Sequence, residues 1–410
     1  MSDSQPAPAR RFYPQLEGLR AVASLGVLTT HVAFQTRVTQ WPVLGEILGR
    51  LDLAVALFFA LSGFLLWRPY AAAARDDGAP RPAVRRYLRH RFVRIWPAYA
   101  LVVVAVLALL PQARGASATV WLANLTLTQV FVPLTLAPGL TQMWSLSVEV
   151  AFYLLLPVIG FALYRVRGAA ARRRIPIIVG VAIVSLGWTW VTRLLALPAG
   201  VEARNWVLGY LPWFAVGLVL SEIAAALAIG GLDRRSRAVR LGADRRVMLV
   251  VFVVAYGLAC TPIAGPVGLG DMTHLAYVAK MVLGAVAAFA VLAPLVLSDG
   301  PFVFLDSRVM NALGRWSYGI FIWHLAVLSV VFGLFGIPMF DGHFVSVWLL
   351  TVIITVALSA ASYAFVEEPL RARLSAREKR RTAEVPADEP TPERAGVTAA
   401  GRTAPPPPPR

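Results

Sequence analysis

A single cysteine, Cys260, in 410 residues excludes an intramolecular disulfide and any multi-cysteine metal site. It is expected to pack as a small hydrophobe. Charge is also scarce: Asp, Glu, Lys and Arg together make up 15% of the chain, against about 25% in soluble domains. Lysine is nearly absent, with only Lys280 and Lys379, so the positive charge is carried by arginine. No HExxH, Walker A, GxSxG or Rossmann fingerprint is present, so nothing points to a bound metal, a nucleotide loop or an elbow nucleophile. What the chain has in abundance is apolar surface, at 58% of residues with a mean hydropathy of +0.66. A soluble fold would lack the polar residues to cover it. Disorder, collagen and a disulfide scaffold are excluded for the bulk of the chain.

The remaining class is an all-α polytopic membrane protein. About 20 apolar residues are needed to cross roughly 30 Å of hydrocarbon. Ten stretches qualify: 16–36, 51–68, 94–111, 145–165, 175–195, 205–229, 247–265, 273–297, 312–335 and 344–367. The first follows Arg10 and Arg11, contains Glu17 and Arg20 and lacks a small-residue cleavage site, so it reads as an uncleaved span. Counting Lys and Arg in alternate connections gives 28 on one side against five on the other. This alternation, in phase with ten spans, places both termini in the cytoplasm. The net charge of +17 therefore reads as membrane topology rather than nucleic-acid binding, for which no motif exists.

Three regions follow: a cytoplasmic N-terminal segment 1–15, a membrane domain 16–370, and a charged, Pro-rich cytoplasmic tail 371–410 expected to be disordered. The longest outer connection, 117–143, is too broken by Asn, Thr and Pro for a span. It is expected to lie at the interface or to re-enter as a lid.

Ionisable groups at membrane depth are costly and therefore candidates for function. Arg20 and His31 lie on the first span, eleven residues apart. That separation is close to three full turns, so both share one face about 16 Å apart along the axis. Either residue alone has a bland reading, a snorkelling arginine or a satisfied buried histidine. Glu149, in MWSLSVEV, opens the fourth span about 7 Å below the outer boundary. His31 has a similar depth, so the two form a candidate general-base pair, although Glu149 also suits a helix start. Arg91 and Arg94 open the third span at i, i+3, with Arg86 and Arg89 one turn earlier. Paired guanidiniums at a bundle mouth can grip phosphates, and a positive-inside anchor is the alternative. His324 lies near mid-membrane in the ninth span, and Gly63 beside Ser62 would permit close helix approach. Lys280 is buried without an evident partner. Arg315, Glu367 and Glu368 read as interfacial.

Six motifs occur in order: LEGLRAVASLGVLTTH, FFALSGFLL, RFVRIWPAY, MWSLSVEVAFYLLLP, LGRWSYGIFIWHLAV and FVEEPL. Together they resemble the membrane acyltransferase 3 family over roughly residues 12–370. The one departure is Val150, where the family signature usually carries a second acid.

The resemblance implies a ten-helix acyltransferase domain over 16–370, in the bacterial cytoplasmic membrane. It would move an acyl group, expected to be acetyl, from cytoplasmic acyl-CoA to a hydroxyl of a carbohydrate or macrolide-type acceptor, with no metal. Arg91 and Arg94 would hold the CoA phosphates and Arg20 would line the inward path. His31 would act as general base or transient acyl carrier, with Glu149 orienting it. The chain resembles the standalone type, without a fused SGNH esterase-like domain. The alternative is a secondary transporter or exporter using His31 and Glu149 as a proton relay. The dense arginine mouth and the lack of internal repeats count against it. A non-catalytic scaffold ranks third.

Overall fold

The computed structural model describes residues 13–76, 82–268 and 270–383, with side chains described as far as residue 380. Fifteen α-helices follow in chain order: α1 (Gln15–Gln35), α2 (Leu44–Gly49), α3 (Ala54–Ala73), α4 (Val84–Leu109), α5 (Ala118–Leu125), α6 (Trp144–Ala162), α7 (Arg174–Ser185), α8 (Trp188–Val191), α9 (Leu211–Ala228), α10 (Arg237–Ala243), α11 (Arg245–Ala259), α12 (His274–Leu297), α13 (Arg308–Leu334), α14 (Phe344–Ser362) and α15 (Glu368–Ala383). No strand occurs among the described residues. With no water in hydrocarbon to satisfy backbone groups, helices are the structure these apolar runs must take. Several starts are fixed by side-chain caps: Ser117, Asp244, Thr273 and Ser307 each accept from an amide two or three residues on.

Eight stretches are long and apolar enough to cross a membrane by length and composition, and they coincide with eight of the ten expected spans. The other two are α1 and α11. Helix α1 has the length, at 21 residues, but carries Glu17, Arg20 and His31. It lies inside the bundle, packed along α13 and against α3 and α14, so it needs no lipid-facing surface. Helix α11 has 15 residues and stops before Pro262. At 1.5 Å per residue it rises roughly 22 Å.

The bundle is organised by close helix pairs, α3 on α9, α1 on α13, α13 on α14 and α11 on α12. At the first, a side chain on Gly63 would strike the Phe214 carbonyl and one on Gly217 the backbone of Ala60 and Phe64, so the expected close approach at Gly63 is met. The same region holds a buried ionic knot. Glu222 of α9 accepts from Trp67 Nε1 at 2.7 Å and pairs with Arg75 at 2.5 Å and Arg174 at 3.1 Å, all three ion-pair side chains being at most 5% exposed. Lys280 also gains a partner, Asp52, at 2.5 Å.

Segment 118–143 re-enters the bundle. Trp96 Nε1 donates to the Leu125 carbonyl at 3.1 Å and Tyr99 OH to that of Asn124 at 2.5 Å, both from the middle of α4. Gln142 Nε2 donates to the Ile322 carbonyl, midway along α13, at 3.1 Å. Helix α6 therefore begins inside the bundle, not at its surface. A second difference lies at the other end: residues 371–383, expected to begin a disordered tail, continue as α15. Glu378 takes Arg86, Arg89 and His90 of α4 on one carboxylate, which docks the new helix. The rest of the expected tail, and most of the segment 1–15, lie outside the described residues.

Candidate active site: an arginine recess and a histidine pair

Where α1 and α13 start and α14 ends, beside the first half of α4, a recess of about 250 Å³ opens. Arg20, Arg94, Arg315 and Arg371 line it, with Glu17 and Glu367 as the only acids and Asn311, Tyr318 and Tyr363 as further polar groups. Arg20 Nε donates to Ser317 Oγ at 3.3 Å. Among the described residues, the side chains of Arg94, Arg315, Arg371, Glu17 and Glu367 make no hydrogen bond or salt bridge. Four cations against two anions in one concavity, mostly without protein partners, form a ready anion site. Gly314 makes the shape possible, since a side chain there would strike the Glu17 carbonyl and part α13 from α1.

The Arg-x2-Arg pair divides. Arg94 lines the recess. Arg91, about 60° round the helix, places its guanidinium 5.9 Å from the centre of the Tyr153 ring, with Nε buried and unpartnered. Arg86 and Arg89 are held by Glu378.

His31 lies at the far end of α1. Its Nδ1 is 2.8 Å from the Val27 carbonyl, one turn back on its own helix. A carbonyl oxygen can only accept, so Nδ1 carries the proton and Nε2 keeps its lone pair. His324, fully buried on α13, repeats the pattern: its Nδ1 is 2.7 Å from the Phe321 carbonyl and 3.2 Å from that of Ile320. Its unprotonated Nε2 then points at His31 Nδ1 from 3.3 Å and shares that proton with Val27. The ring centres are 5.0 Å apart.

Glu149 does not join this pair. Its Oε1 accepts from Ser62 Oγ and from Tyr153 OH, the latter at 2.5 Å, and its charge acts on Arg20 and Arg91. The expected His31–Glu149 contact is therefore corrected. Its depth was reckoned from a helix starting at the membrane surface. Because Gln142 already sits at mid-height of α13, Glu149 lies about 10 Å further toward the arginine end. His31 and Glu149 are both absent from the recess lining.

Sequence reading missed Tyr318, Asn311, Tyr363 and Arg371 and placed Arg315 and Glu367 at the interface. One signal was available: Arg315 and Tyr318 are three residues apart on α13 and so are neighbours on its surface, as are Asn311 and Arg315 four apart.

Residues 13–365 match the model of the acyltransferase 3 family, described as an acyltransferase domain. The chain belongs to this family. O-acetyltransferase OatA of Staphylococcus aureus is 24% identical over 397 residues, covering 88% of this chain and 57% of the relative. Acyltransferase MdmB of Streptomyces mycarofaciens is 29% identical over 345 residues, covering 77% of this chain and 79% of the relative. The chain thus spans little more than half the length of OatA. No solved structure matches it. The matched segment of this acyltransferase 3 chain contains α1 to α14 and hence both histidines. Arg371 and Glu367 lie just beyond it.

Proposed function

We propose that this membrane protein is an acyl-CoA-dependent O-acetyltransferase acting on a hydroxyl of a carbohydrate or macrolide-type acceptor. The observation that carries the reading is the recess: Arg20, Arg94, Arg315 and Arg371 converge with few protein partners at the end of the helix whose far end bears His31. Phosphates of the donor bind there through paired guanidinium hydrogen bonds. The recess faces the cytoplasm, in keeping with the arginine bias of the connections at that end.

The donor's thioester arm extends from the recess toward His31 along the length of α1. The roughly 16 Å between Arg20 and His31 is comparable to a pantetheine arm. His31 Nε2, the free lone pair of the pair, takes the proton from the acceptor hydroxyl. The hydroxyl oxygen attacks the thioester carbonyl and the carbon–sulfur bond breaks. The new ester leaves on the acceptor, and the thiolate of CoA recovers a proton from the imidazolium. Holding both substrates in place supplies much of the acceleration.

The name of OatA points to a hydroxyl acceptor that receives acetyl, and that of MdmB to acyl transfer. A proton-relay transporter is the weaker reading, because His31 and Glu149 have separate partners and no direct contact through which to relay.

The test is transfer of radiolabel from acetyl-CoA to candidate glycans and macrolides by the full chain in nanodiscs, with His31→Ala as control. Label in the acceptor with wild type and none with the variant is the expected result. Equal transfer by both proteins, or none with any acceptor alongside ion-driven flux, would overturn the proposal.

A further inference from the structure

Glu367 is out of place in a recess built for anions. It is 5% exposed, lines the cavity beside Arg20, Arg94 and Arg371, and feels the charge of all three, yet it hydrogen-bonds to none of them. Its Oε1 is buried with no hydrogen-bond partner. A carboxylate serving only as counter-charge would settle into a forked pair with a neighbouring guanidinium, the strongest arrangement available to it. The backbone here is irregular. Residues Tyr363–Glu367 form a single π-helical turn between α14 and α15, and the extra residue rotates Glu367 relative to an uninterrupted helix. Such turns are uncommon and concentrate where a side chain must be aimed for function. A buried carboxylate without a donor is expensive, and here the missing donor has to come from what fills the cavity. Phosphate oxygens cannot supply it, since they accept and carry the same sign.

We infer that Glu367 selects the donor, accepting a hydrogen bond from an N–H or O–H of its ribose–adenine head while the arginines hold the phosphates. This rests on the acyl-CoA reading above and narrows it. The recess recognises a phosphorylated nucleoside, not a bare polyphosphate or an acyl phosphate, because of these three only the nucleoside brings hydrogen-bond donors next to its phosphates.

The two roles open to Glu367 predict opposite signs. The full chain in nanodiscs is titrated calorimetrically with adenosine 3′,5′-bisphosphate and, separately, with pyrophosphate, for wild type, Glu367→Ala and Glu367→Gln. Loss of a hydrogen bond to a charged group should weaken the nucleotide about tenfold or more in Glu367→Ala. Pyrophosphate should bind several-fold tighter in the same variant, because a repelling charge is gone. Glu367→Gln keeps an acceptor carbonyl and should fall between wild type and Glu367→Ala for the nucleotide.

If both variants bind both ligands more tightly, Glu367 is a counter-charge and the inference fails while the donor reading stands. If wild type binds pyrophosphate but not the nucleotide, or neither, the nucleotide donor itself is wrong. A thermal-unfolding scan accompanies each titration. Should Glu367→Ala prove misfolded, Glu367→Gln decides: unchanged or tighter nucleotide binding overturns the inference, and weaker nucleotide binding with tighter pyrophosphate upholds it.

Discussion

His324 Nε2 lies 3.3 Å from His31 Nδ1, across 293 residues of sequence. Each ring donates its own Nδ1 proton to a carbonyl of its own helix, so the facing nitrogens match as acceptor and donor. The His31 tautomer is thus set by the Val27 carbonyl, with a second neutral imidazole, not a carboxylate, accepting the same proton. Such a partner orients His31 without adding a negative charge to a buried place.

If His31 is the base proposed above, His324 is its positioning residue. His324→Ala should lower kcat by about 10- to 100-fold with KM for the donor little changed, a cost in the range of general-base contributions. His324→Gln, whose side-chain oxygen reaches to nearly the same place as Nε2, should recover part of the loss. Steady-state kinetics on the three proteins decide this, and a uniform drop in folded protein with unaltered kcat would reduce His324 to packing.

Glu149 bonds to Ser62 and Tyr153 rather than to His31. Glu149→Gln should therefore leave the midpoint of the acidic limb of the kcat–pH profile where it is in wild type. Its effect should fall instead on donor KM, through the altered charge around Arg20 and Arg91. A displaced acidic limb would restore a direct link between the two residues.

The division of the Arg-x2-Arg pair gives unequal expectations for its members. Arg94→Ala and Arg371→Ala should each raise donor KM about tenfold, consistent with loss of a charge-assisted contact, and weaken its dependence on salt. Arg91, turned toward Tyr153, should matter less for KM. Donor titrations at two ionic strengths provide the comparison.

Phe321 stands one turn before His324 on α13, with its ring 6.0 Å from that of His324. If the proposed donor reaches His31 from the recess, its arm comes close to this ring. Phe321→Trp should slow acetyl transfer while leaving binding of adenosine 3′,5′-bisphosphate in the recess unchanged. Loss of both together would place Phe321 in the binding wall instead of on the path.

The knot around Glu222 is structural. Glu222→Ala strands Arg75 and Arg174 in the interior and should cost about 3–5 kcal/mol, as for other broken buried pairs. Thermal unfolding in detergent should show the loss, while the surviving folded fraction keeps its specific activity. Normal stability in that variant would show that water or lipid solvates the two arginines.

Much of this site could be read from the chain. Arg20 and His31 share a face of α1 because eleven residues make three turns, a relation internal to one helix. The eight long apolar helices follow from composition alone. The pairings between helices could not be read. Glu149 was matched to His31 by depth, and depth failed because the chain from Ala118 to Met143 dips into the bundle before α6 begins. Arg315 and Glu367 look interfacial in sequence, since a charged residue at a helix end is ordinarily wet. Only the convergence of the ends of α1, α13 and α14 beside α4 turns that edge into a cavity wall.

Hydropathy and helical periodicity thus determined that this is an all-α membrane protein, and which polar groups share a helix face. Both are properties of neighbours along one backbone, and the cost of polar groups in hydrocarbon enforces them. The tertiary structure alone decided that His324, not Glu149, meets His31, and that Glu367 sits beside Arg20, Arg94 and Arg371 without bonding to any of them. Those relations depend on helix register, on the re-entrant segment and on one π-helical turn, and register is set by packing between residues hundreds of positions apart.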